Sequence, residues 1–168
     1  MAEQVHATWQ GVAKVQVDPN NLPPAANKAW AELTEEEREG NREPADHMWS
    51  KVRSIGYELL PASFGSDGHR AADADSASLA ADIEKHMEEL ASAEHYRWMA
   101  WRLINGWKHA EKRDNALKLH PNIVSYEALT EPEKDKDRVI VRLIPQLLEI
   151  GRLRARKISS STTPNAAS

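Results

Sequence analysis

Between Leu79 and Ile104 the chain sets Leu79, Ile83, Met87, Leu90, Ala91, Glu94, Trp98, Trp101 and Ile104 three and four residues apart, and Asn105-Gly106 then ends the pattern. That spacing is the period of an α-helix, and the largely apolar face it draws has to be buried against other elements. The helix is predicted to begin near Ser76 or Ser78. Two further segments supply faces for it. Thr34 is an N-cap with Glu37 three residues on, a capping box that opens a helix carrying Ala45, Met48, Trp49, Val52 and Ile55 and stopping at Gly56. Pro44 falls inside it, so the helix either kinks or begins anew there. Thr130 with Pro132 and Glu133 forms a second capping box, followed by Val139, Ile140, Leu143, Ile144, Leu147 and Leu148 and closed at Gly151. Pro145 interrupts this last pattern without an evident reason.

The expected architecture is therefore mainly α, one compact helical domain with short strands at most. Its 168 residues and 40% hydrophobic content suffice for one modest core and would supply two thinly. Residues 61–75, with Pro61, Gly65 and Gly68, read as a loop. Residues 107–129 have no period, yet Trp107 and Tyr126 favour a long ordered loop, of the kind that often carries function. Val12, Val15 and Val17 alternate as a short edge strand would. Residues 1–27 are expected to be an N-terminal extension, residues 28–152 the domain, and residues 153–168 a disordered basic and serine-rich tail.

Composition removes several functions. A net charge of −4 argues against binding DNA or RNA polymers, which calls for a basic surplus. Without cysteine there is no disulfide, thiolate metal site or thiol chemistry. The seven histidines show no paired metal-ligand spacing, and no phosphate-binding glycine loop, dinucleotide fingerprint or nucleophile elbow occurs. Neither a metal nor a cofactor is expected. No apolar run approaches the length of a membrane span, so a cytoplasmic location without membrane association is the expectation.

Six tryptophans against one phenylalanine form the unusual feature of the composition. Three of them fall near His95, Tyr96 and Arg102. On a helix Trp98 and Arg102 are neighbours, with His95 one turn earlier. An indole beside a guanidinium suits an aromatic base and its phosphates, with stacking contributing about 1–3 kcal/mol. The same pair would equally serve as core plus surface charge, or as an internal cation–π contact. Arg113, Asp114 and His120 in the long loop either fix a ligand's polar groups or staple the loop itself.

Trp30, Leu33, Glu37-Arg38-Glu39 with Asn41, Ala45-Asp46, Ile55-Gly56-Tyr57 and Leu90-Ala91 precede an ordered set of His95 to Trp98, Gly106-Trp107, Arg113-Asp114 and His120-Pro121. Val124, Tyr126, Leu129, Lys134 and Gly151 complete it. Together these residues, over roughly 28–152, resemble the ryanodine-receptor repeat (RyR domain) family in a single-copy microbial or viral form. The resemblance implies helix pairs with short strands, and a homodimer in place of the tandem copies found in the calcium channels. It also implies binding of an adenine-type nucleotide or nucleotide second messenger, cyclic or ADP-ribose-like, as a sensor or sequestering protein in antiviral nucleotide signalling. Trp98 would stack on the base and Arg102 would make a basic contact, with His95, Trp107, Arg113 and Asp114 in support. Tyr96 stands where an acidic residue often follows the motif histidine, and Lys108-His109-Ala110 replaces a frequent Tyr-Gly. Two other functions compete: a protein-interaction module anchored by Trp9, Trp30 or Trp49, and an enzyme with His95 or His120 as general base. Binding without catalysis is the expectation.

Overall fold

A computed structural model describes residues 1–16, 27–62 and 66–158. In chain order it contains α1 (Ala2–Gln16), α2 (Glu35–Asp46), α3 (Met48–Ser54), β1 (Tyr57–Pro61), α4 (Ser66–Lys85), α5 (Met87–Ile104), β2 (Lys108–His109), β3 (Leu119–His120), α6 (Glu131–Arg142), α7 (Ile144–Ile150) and β4 (Leu153–Lys157). Single 3-10 turns lie at Trp30–Glu32 and Tyr126–Ala128. The fold is mainly α, as the apolar periodicity predicts.

Each of the three predicted helices is a pair, including the one that Pro44 is expected to kink or restart. Pro44 cannot donate to the carbonyl four residues before it, and α2 gives way at His47, which is both its C-cap and the N-cap of α3. The chain thus begins anew just after the proline, and α3 ends before Gly56, whose φ of 86° is open to glycine. His86 breaks the long central helix into α4 and α5. Leu143 separates α6 from α7. Pro145 falls in the first turn of α7, where a missing N–H leaves no bond unmade, so its place in the pattern is accounted for. At the far end of α7 Gly151 stays right-handed, and Arg152 takes the left-handed turn at φ 52°.

The capping box at Thr34 forms as predicted: Glu37 N–H donates to Thr34 Oγ1 at 3.2 Å, and Thr34 N–H to Glu37 Oε2 at 2.8 Å. The box at Thr130 does not. Glu133 accepts from Asn122 and from Lys136 Nζ, so its carboxylate faces the long loop.

Three expectations about the margins are corrected. Val12 and Val15 lie in α1, not in an edge strand, and Val17 is outside the described residues. The segment 61–75 is not all loop, since Pro61 ends β1 and α4 already runs from Ser66. The tail expected to be disordered from 153 begins with β4, which pairs antiparallel with β1 in the register Leu59 with Ala155. Ala155 is completely buried, as the centre of a strand over a core requires. Ile158 still donates its N–H to the Gly56 carbonyl at 2.8 Å, and residues 159–168 lie outside the described residues.

The main core joins Met48 and Val52 of α3, Tyr57 of β1, Leu79 and Ile83 of α4, Leu90 of α5 and Leu147 of α7. Val5 of α1 belongs to it too, so the N-terminal helix is part of the domain and not an extension from it. A smaller cluster of Ala91, Tyr126 and Leu129 seats the end of the long loop on α5. The loop is ordered by this cluster and by a short parallel pairing of β2 with β3.

Candidate functional site

α5 carries the centre of the site. Glu94, on its otherwise apolar face, is 2% exposed and stays ionised because Lys51 of α3 reaches it at 2.6 Å and Arg97 at 2.6 Å. Burial would raise its carboxyl, but these two cations outweigh burial and hold it below the usual value. One residue on, His95 is equally buried. Its Nε2 donates to the Val124 carbonyl at 2.8 Å, while its Nδ1 faces Asp137 Oδ2 of α6 at 3.6 Å. Burial alone would lower this imidazole. The Asp137 bond, the Val124 carbonyl and the charges of Asp137 and Glu127 prevail and raise it. Asp137 is itself raised, because burial and the nearby Glu94 charge exceed the help from His95. With an acceptor at each ring nitrogen, the imidazolium is the form that fits.

His95 stacks on Trp98 with 5.6 Å between ring centroids and 28° between planes. Trp98, Trp101 and Trp107 surround the guanidinium of Arg102, which lies 5.6, 5.2 and 4.1 Å from their respective ring centroids. Trp107 reaches this position through the turn at Gly106, whose φ is 83°. His120 of β3 meets Trp98 edge-on at 4.9 Å and accepts the Asn122 N–H at Nδ1, which places its own hydrogen on Nε2. Burial and the charges of Arg113 and Arg102 push His120 down to about 3, so it is neutral.

These side chains line a cavity of about 460 Å³ enclosed by α1, α2, α5, α6 and the long loop. The volume lies in the range of small-molecule sites. Each carboxylate on its wall is matched. Glu36 faces Lys118 at 3.9 Å, Glu37 Lys28 at 2.8 Å and Glu133 Lys136 at 2.7 Å, while Glu94 and Asp137 are paired as described. Two cations on the wall are not. Arg102 has no carboxylate or hydrogen-bond acceptor among the described residues, and burial with the charge of Arg113 pushes it down to about 10. Arg113, exposed at the rim, donates to Asn115 Oδ1 at 2.9 Å and has no ion pair among the described residues. Nε of Arg102 and Nε1 of Trp107 are both buried without an acceptor.

Six of the eight residues singled out from sequence converge here: His95, Trp98, Arg102, Trp107, Arg113 and His120. Two do not. Asp114 accepts the Leu117 N–H at 3.0 Å and exchanges backbone hydrogen bonds with Leu119, so it staples its own loop. Tyr96 is 40% exposed on the outer face of α5, with its hydroxyl 3.4 Å from Glu127. Sequence reasoning missed Trp101 as a wall of the site, Trp9 of α1, Asn41 of α2 and Lys136 of α6. Trp101 had a signal, three residues from Trp98 on the same helix. Trp9 and Lys136 come from elements remote in sequence and had none.

Among the described residues no group of His, Asp and Glu could hold a metal ion, and no helix is long and apolar enough to cross a membrane. Residues 70–151 match the family model of the RyR domain. The matched segment runs from α4 to Gly151 and carries Trp98, Arg102, Trp107, Arg113 and His120, while Trp9 and Asn41 lie before it.

Proposed function

Because the chain belongs to the RyR domain family through residues 70–151, we propose that its cavity binds an adenine-type nucleotide or nucleotide second messenger and releases it unchanged. The observation that carries this reading is the imbalance of the wall: every carboxylate is paired, while Arg102 and Arg113 face the same cavity without one. Two like charges held together at the edge of a low-dielectric space favour an anion between them. Phosphate oxygens meet that need, since a guanidinium binds them through parallel hydrogen bonds. The tryptophan walls suit a flat ring. Trp107 already carries Arg102 on its face at 4.1 Å, so Trp98 and Trp101 are the better candidates for stacking on a base.

Absence of turnover is part of the proposal. His95 uses both ring nitrogens within the protein, and His120, at about 3, is too weakly basic for proton abstraction near neutrality. Such a protein would act by sensing the messenger or by withholding it from another receptor. Withholding requires nanomolar affinity, about −12 kcal/mol. The test is a thermal-shift panel of adenine nucleotides, ADP-ribose, cyclic ADP-ribose isomers and cyclic dinucleotides, with chromatography of the recovered ligand. Ligand at about 100 times its dissociation constant adds roughly 2.7 kcal/mol of stability. We expect at least one strong shift, its loss in a folded Trp98→Ala variant, and intact ligand afterwards. A panel without a shift, or a hydrolysed ligand, contradicts the reading.

A further inference from the structure

The outer side of the Trp101 wall is a second surface. α2 lies against α5 at Gly40, close enough that a Cβ built there would be in ordinary van der Waals contact with the Trp101 indole at 3.7 Å. Along the open side of this contact α5 presents Ala93, Tyr96, Ala100 and Ile104, at the spacing of one helical stripe. Tyr96 is 40% and Ile104 85% exposed. An isoleucine that open, in line with a tyrosine and two alanines, forms an apolar strip along roughly 16 Å of helix. Facing the strip, α2 supplies Glu35, Glu36, Glu39 and Glu43. Three of these sit four residues apart, so a row of carboxylates runs beside the apolar row.

Counter-charge within the protein is thin. Arg42 serves both Glu35 and Glu39, Arg38 lies 3.7 Å from Glu35, and Lys118 is 3.9 Å from Glu36. Glu43 has no cationic partner among the described residues. Exposed pairs of this kind are weak and readily exchanged. His47, which closes the groove, is lowered by burial and by Lys51 and so adds no positive charge near neutrality.

We propose that this groove between α2 and α5 is a docking site for a basic amphipathic helix of a partner protein. The apolar face of that helix would cover Tyr96, Ala100 and Ile104, and its lysines or arginines would meet Glu35, Glu39 and Glu43. The charge pattern selects this occupant, because an acidic helix would be repelled along the whole row. Trp101 and Glu36 line both the groove and the inner cavity. A helix seated outside therefore touches the same indole as a ligand inside. The proposal does not depend on what the inner cavity binds.

The test uses the full chain and a fluorescein-labelled synthetic helix of leucine and lysine with one apolar face, beside the same peptide with glutamate for lysine. Fluorescence anisotropy should show binding of the lysine peptide only. Ile104→Ser and Glu39→Lys change exposed side chains, and each should weaken binding about tenfold. Trp49→Ser removes another exposed apolar side chain, outside the groove, and should leave affinity unchanged. No binding, equal binding of both peptides, or the same affinity in Ile104→Ser as in the native chain overturns the proposal. Self-association in sedimentation velocity that Ile104→Ser abolishes would also overturn it, by assigning the groove to a second copy of this chain.

Discussion

At the scale of the residue, two histidines near one tryptophan are driven in opposite directions. His95 is raised by its carboxylate and carbonyl acceptors, and His120 is lowered by burial and by cations. A raised folded-state value means that stabilisation by His95 is complete below the unfolded value of 6.5 and is lost as pH rises through the folded one. For His120 the unfolded chain takes up a proton that the folded chain refuses down to about 3, so stability falls as pH drops below 6.5. Urea midpoints should therefore decline on both sides of about pH 6.5. His95→Gln should flatten the alkaline limb and His120→Asn the upper part of the acid limb. An unchanged profile in both variants would show that neither histidine is perturbed by its surroundings.

At the scale of the element, the buried Lys51–Glu94 pair ties α3 to α5 and fixes the rotation of α5 that turns Trp98 and Arg102 toward the cavity. Lys51→Met leaves Glu94 buried with Arg97 alone, and removing one member of such a pair costs about 3–5 kcal/mol. A fall in the urea midpoint corresponding to less than about 1 kcal/mol would mean that Arg97 suffices.

Elements whose information is local were legible in the sequence. The Thr34 cap, the stop at Gly56 and the apolar stripe of α5 could be read because each needs only a few neighbouring residues. Breaks at His47, His86 and Leu143 were harder, since they also depend on the direction each half takes to reach the core. Of the three, only those at His47 and Leu143 had a proline nearby as a signal. β4 was hidden by its composition: Leu153, Arg154, Arg156 and Lys157 resemble a solvated tail until Ala155 is seen opposite Leu59. The site divides in the same way. Residues on α5 were found through their helical spacing and those in the ordered loop through their charge and their place in the family motif, whereas Trp9 arrives from a helix whose packing against α2 has no short-range mark. Asp114 was overread, because an aspartate two residues before an alanine-leucine turn serves its own backbone as well as it would serve a ligand.

At the scale of the molecule, the first and last elements are integral to the body that holds the cavity. β4 pairs with one edge of β1 along Tyr57–Pro61, and its Ala155 joins Tyr57 and Leu59 in the core. A chain ending at residue 152 should melt at least 5 °C below one ending at residue 157, roughly the shift expected for a loss of 1–2 kcal/mol or more in a domain of this size. Equal melting temperatures would show that β4 adds nothing. A cavity walled by tryptophan and left with two unmatched guanidinium groups should select a ligand with both a flat ring and negative charge. Calorimetric titration of the full chain with ADP and with adenosine, each repeated on Arg102→Gln, addresses it most directly. ADP should bind at least tenfold more tightly than adenosine, a difference of about 1.4 kcal/mol, and Arg102→Gln should remove that preference while leaving adenosine unchanged. Equal affinity for ADP and adenosine, or no binding of either, would contradict it.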